Sequence, residues 1–203
     1  HLGLIHAEDP NVGDSVPPQP LTGAAFVGPI PFESEDGTNA RDQAHQTLVY
    51  RSPEFIMGLN GRISFALIGG AKPNLDLEEV NANGLQEDSS TDGAIGVALR
   101  HADSGQYISF HARSEDGSQA WETIVLDANT LESLIEPGQA YTLDLIDSFH
   151  GGWGWAGLDN VIIQQGVRTT QFDFDDETLQ GWTVVQGSEE ATGPHRLDVI
   201  SQN

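Results

Sequence analysis

The chain contains no cysteine, and its only lysine, Lys72, is one of eight basic residues in 203. Without cysteine there are no disulfides, thiolate zinc sites or thiol nucleophiles, so stability has to come from an apolar core. Eight Lys and Arg against 31 Asp and Glu leave a formal charge of −23. Such a surface repels nucleic-acid phosphates and anionic lipid, which excludes nucleic-acid partners. No apolar run approaches ~18 residues, so no membrane-inserted helix is expected. The sequence has no His-Glu-x-x-His, no Gly-x-Ser-x-Gly elbow and no phosphate-cradling glycine loop, and no catalytic residue is assigned. The histidines show no short metal spacing except His1 with His6, so zinc is not expected. The first residue is His1 rather than Met, as expected of a processed terminus.

What is present is glycine (23), proline (10) and short alternating apolar segments. Strands are expected at about 47–51, 62–68, 94–100, 106–112, 121–126, 140–147 and 157–164. Seven such runs, punctuated by glycine and aspartate, predict an all-β fold, an antiparallel β-sandwich or jelly roll. The expected core includes Phe65, Leu67, Val97, Leu99, Phe110, Leu143, Leu145 and Val161. In the 106–113 segment, strict alternation places Ile108, Phe110 and Ala112 on one face and Tyr107, Ser109 and His111 on the other. One helical piece of a turn or two is expected over Asn129–Glu136, ended by Pro137-Gly138. Residues 1–23 carry Pro10, Pro17, Pro18 and Pro20 and read as an extended N-terminal arm. The sandwich is expected over 24–167, with a C-terminal strand segment over 168–203. The polar stretch between Gly70 and Asp92 reads as a long mobile loop.

Two motifs carry more. Ser52-Pro53-Glu54-Phe55 is followed by the Ile63–Gly70 strand and its Gly-Gly pair, and Leu143–Asp147 is followed by Gly151-Gly152-Trp153-Gly154-Trp155 and Leu158-Asp159-Asn160-Val161. In this order, over about residues 47–165, they resemble galactose-binding-like β-sandwich modules found beside fructan hydrolases and in bacterial surface proteins. Modules of that kind bind or build. The tail adds Phe172-Asp173-Phe174-Asp175-Asp176-Glu177-Thr178-Leu179-Gln180-Gly181-Trp182-Thr183. In the resembled modules such a segment stands at the beginning, as the first strand and turn. Here it could fold back onto its own sheet, begin a second module, or enter a neighbour's sheet as a donated strand. Phe172, Phe174, Leu179 and Trp182 are the anchors expected in any of these cases.

The resemblance also implies a structural calcium ion between the opening segment and the closing strand, with Asp175 and Asp159 in those two places and Asp173 and Glu177 as further oxygen ligands. The same residues read equally as an acidic, solvated turn. Trp153 and Trp155, one residue apart beside His150, would share a face on a strand. They suit stacking on a sugar ring, or packing as turn architecture. The expectation is a non-catalytic, secreted or cell-surface structural or adhesive sandwich that partners itself, assembling head to tail by strand complementation. A carbohydrate-binding module with a polysaccharide partner is the alternative.

Overall fold

The computed structural model describes residues 2–6, 21, 25–29, 48–69, 77–78, 81, 95–112, 120–148, 156–176 and 178–186. Two antiparallel sheets pack face to face. The strands are β1 (Leu2–His6), β2 (Ala25–Pro29), β3 (Leu48–Arg51), β4 (Phe55–Ile56), β5 (Gly61–Gly69) and β6 (Ile95–His101), then β7 (Tyr107–His111), β8 (Glu122–Leu126), β9 (Ala140–Asp147), β10 (Ala156–Gln165), β11 (Arg168–Phe172) and β12 (Thr183–Gln186). The first sheet runs β1-β2-β10-β5-β8, with β11 also on β10; the second runs β12-β3-β9-β6-β7, with β4 also on β9. All seven expected strands form. β1 lies inside the segment read as an arm, where it pairs with β2 from Leu2↔Pro29 to His6↔Ala25.

Alternation within the strands fills the space between the sheets. Ile63, Phe65, Leu67, Val97, Leu99, Leu143, Leu145, Leu158 and Val161 are all buried in one cluster. Each such side chain contributes roughly 1.5–3 kcal/mol by leaving water. Phe110 departs from the expectation, because β7 contains a bulge. Leu99 pairs with Ser109 but Arg100 pairs with Tyr107, so one extra residue, Ile108, is inserted. Beyond a bulge the two faces exchange. Ile108 packs against the core, whereas Phe110 packs against a second cluster on the outer face, with Val49, Ala98, Tyr107 and Ile146. Ser109 and His111 are the residues that face inward; His111 lies edge-on to Phe65 at 6.3 Å.

The Ser-Pro motif has a backbone explanation. β3 and β4 follow each other along the same edge of β9, and Pro53 between them has no N–H to give to the ladder. Ser52 bridges the gap: its N–H donates to the Leu143 carbonyl and its Oγ accepts from the Leu143 N–H, both at 2.9 Å. The helix α1 (Ala128–Glu132) is short, as expected, and Asp127 caps it by accepting from the Thr130 N–H at 2.9 Å.

Candidate functional site

The C-terminal segment lies on its own sandwich. β11 forms a hairpin with β10, from Val161↔Phe172 to Gln165↔Arg168. The chain then crosses to the second sheet, where β12 pairs with β3 through Thr183↔Arg51 and Val184↔Tyr50. Phe172, Phe174 and Trp182 are buried in the core and Leu179 packs against it. Trp182 meets both phenylalanine rings edge-on, at 5.9 and 6.1 Å. Gly181, with φ +89°, lets this turn sit against Pro53, so the tail closes over the Ser-Pro motif. The Trp182 indole N–H is buried with no hydrogen-bond partner among the described residues.

The acidic turn before Trp182 is tied to itself. The Gln180 amide donates to Asp173 at 3.0 Å and to Asp176 at 3.2 Å, and accepts from the Asp173 N–H at 3.1 Å. Asp176 also accepts from the Thr178 hydroxyl at 2.8 Å and from its N–H at 3.0 Å, and the hydroxyl bond holds its carboxyl below the ordinary range. Asp159 is fully buried on β10, accepting from the Leu21 N–H at 3.0 Å and the Asn160 N–H at 2.6 Å. Among the described residues no three acidic or imidazole side chains converge as a metal would require. Asp159, on β10, and Asp173 and Asp175, in the turn after β11, are the described members of the implied calcium set. Glu177, and the His150, Trp153 and Trp155 turn, lie outside the described residues.

The most developed polar constellation was not foreseen from sequence. On the outer face of the second sheet, Arg51 of β3 and Asp144 of β9 are direct cross-strand partners. The guanidinium holds the carboxylate at two points, Nε to Oδ1 at 2.9 Å and Nη2 to Oδ2 at 2.7 Å. Tyr107 reaches over β6 from β7, its hydroxyl donating to Asp144 Oδ2 at 3.0 Å; Thr142 adds a longer contact at 3.4 Å. On the intervening β6, Ala98 is the register partner of Asp144 and Arg100 that of Tyr107. Asp144 is fully buried and Arg51 is 25% exposed. The hydrogen bond to Asp144 raises the Arg51 pKa, and burial, then Asp144, push the Tyr107 phenol well above its usual value. A phenol and guanidinium so held are a brace across four strands rather than a proton-transfer pair. The signal that could have exposed it is Asp144 itself, a charge between the apolar Leu143 and Leu145 on a central strand.

Tyr107 also borders an open groove of about 760 Å³, lined by Leu77, Glu78, Asn81, Gln106, Tyr107, Ile108, Ser133 and Leu134. Among the described residues β7 is an edge strand, and Asn81 blunts its edge. The Asn81 carboxamide accepts from the Tyr107 N–H at 3.1 Å and donates to the Tyr107 carbonyl at 2.8 Å, as a neighbouring strand would.

The hydroxyl–imidazole pair Ser109 Oγ with His111 Nε2, at 3.2 Å, is turned toward the core. Burial alone lowers the His111 pKa, and no carboxylate engages its other nitrogen among the described residues. A nucleophile–base–acid relay needs that third member. Comparison of the chain with protein-family models, curated proteins and solved structures gave no match.

Proposed function

We propose that this chain is a non-catalytic, extracellular β-sandwich module with a structural or adhesive role. One observation carries the reading: a single C-terminal segment spans both sheets and buries Phe172, Phe174 and Trp182 in the common core. A segment that can fill a sandwich slot suits a protein built from such modules, closing its own sandwich or a neighbour's. The two-residue turn Gly166-Val167 joins β11 directly to β10. That linkage keeps the effective concentration of the cis pairing around the millimolar scale, so self-closure dominates at lower protein concentration. The surface charge of −23 favours a soluble, dispersed module. The buried carboxylate Asp144 is engaged by Arg51 and Tyr107, so it is a structural group here and not a free base.

The test pairs adhesion with turnover. The intact chain is sedimented with insoluble polysaccharides and with bacterial envelopes, and screened in parallel on generic ester, glycoside and phosphate substrates. Retention on a surface without turnover is expected. Turnover abolished by Ser109→Ala would overturn the reading.

A carbohydrate-binding module is the second reading. It is favoured by the groove beside Tyr107, whose apolar walls and polar rim are the mixture that sugar sites use.

A further inference from the structure

We propose that the groove between Leu77, Glu78 and Asn81, the start of β7 and the turn after α1 is a binding site for a neutral oligosaccharide; this rests on the carbohydrate-binding reading above. The chemistry of its lining narrows the occupant. A donated peptide strand would need the Tyr107 N–H and carbonyl, and the Asn81 carboxamide already holds both. An anionic ligand would meet Glu78 with no cation among the described lining residues, inside a chain of charge −23. A purely apolar ligand would strip water from the Glu78 carboxylate and the Gln106 amide without replacing its hydrogen bonds, which is costly. Those two side chains are exposed at the rim, and neither is hydrogen-bonded among the described residues. Beneath them Leu77, Ile108 and Leu134 are half-buried and apolar.

A sugar has the matching duality. Its hydroxyls can donate to a carboxylate and both donate to and accept from an amide, while its C–H face lies on aliphatic side chains. A volume of about 760 Å³ falls within the usual range of small-ligand sites. The groove is also rigidly framed on one side. Tyr107 is fixed by its hydroxyl to Asp144 and by its backbone to Asn81, so its chain neighbours Gln106 and Ile108 stand at set positions without further ordering. Preformed sites lose less on binding, but a shallow open groove still implies modest affinity.

The experiment titrates the intact chain with maltotriose, cellotriose, galactotriose and mannotriose, reading amide shifts of Gln106–Ile108 by NMR. At least one is expected to bind with Kd on the order of 1 mM. Glu78→Ala and Gln106→Ala should each weaken it roughly tenfold, the effect of one lost hydrogen bond, with Tm unchanged. If either variant lowers Tm, Glu78→Gln and Gln106→Glu serve instead. Binding unaltered in both groove variants but lost in Trp153→Ala would overturn the groove while leaving the carbohydrate reading standing. No binding by the unaltered chain to any of the four would overturn both.

Discussion

Replacing Arg51 by methionine would leave the Asp144 carboxylate fully buried with, among the described residues, only the Tyr107 hydroxyl and the longer Thr142 contact as donors. Removing one partner of a buried ion pair typically costs about 3–5 kcal/mol, because the remaining charge is desolvated without compensation. Arg51 is 25% exposed, so water can enter the space it vacates, and the expected loss is about 3 kcal/mol, at the low end of that range. Asp144→Leu removes the buried charge instead, leaving a guanidinium that can turn to solvent and a phenol without its acceptor. Its cost should be smaller, about 1–3 kcal/mol. The double variant Arg51→Met/Asp144→Leu should lose less than the sum of the two, giving a coupling of about 2 kcal/mol or more. Urea unfolding followed by tryptophan fluorescence measures all four proteins. With a slope of about 2 kcal/mol/M, the Arg51→Met midpoint should fall by roughly 1.5 M. A loss below about 1 kcal/mol for Arg51→Met, or strictly additive single effects, would refute the brace, since a pair that matters must couple.

The orphan indole N–H predicts an asymmetry at Trp182: Trp182→Ala should destabilise by about 3–5 kcal/mol, whereas Trp182→Phe should cost far less because it also removes an unsatisfied donor. Equal losses in denaturant would contradict that. Burial depresses the His111 pKa, so the unfolded chain binds this proton more readily than the folded one. The associated stability is complete above the ordinary value of 6.5 and declines as pH falls below it. His111→Phe should therefore flatten the urea midpoint between about pH 7 and 5, and an unchanged slope would clear His111 of responsibility. Light scattering of the intact chain should show a monomer at micromolar concentration, and removal of residues 168–203 should give unfolding or association; oligomers of the intact chain would favour strand exchange between copies. A structural calcium ion held by Asp159, Asp173, Asp175 and Glu177 would show as a fall of several degrees in Tm on chelation with EDTA, and an unmoved Tm would remove that proposal.

Much of the sandwich could be read from local pattern. Period-two alternation marks β5, β6, β9 and β10, because a strand between a core and another layer must place its apolar side chains on one face. Short pieces escaped that reading: β4 has two residues, too few to show a period, and β1 and β2 sit in a proline-rich setting. The faces of β7 do not follow from its own alternation, because a bulge shifts the count by one and whether a strand bulges depends on its partner β6. The anchors Phe172, Phe174 and Trp182 were visible as an opening-strand motif, but their placement on β10 and β3 of the same chain was not, since cis and trans pairing bury the same side chains.

The site depended most on the third dimension. Arg51 and Asp144 are 93 residues apart, and Tyr107 is 37 from Asp144. Composition and periodicity determined that this chain is a cysteine-free, acidic, antiparallel sandwich, because those properties follow from side-chain chemistry and its nearest neighbours. Only the tertiary structure decided that β3, β9, β6 and β7 lie in that order, which brings one guanidinium, one carboxylate and one phenol within hydrogen-bonding distance. Strand order is fixed by long-range pairing, and no local spacing encodes it.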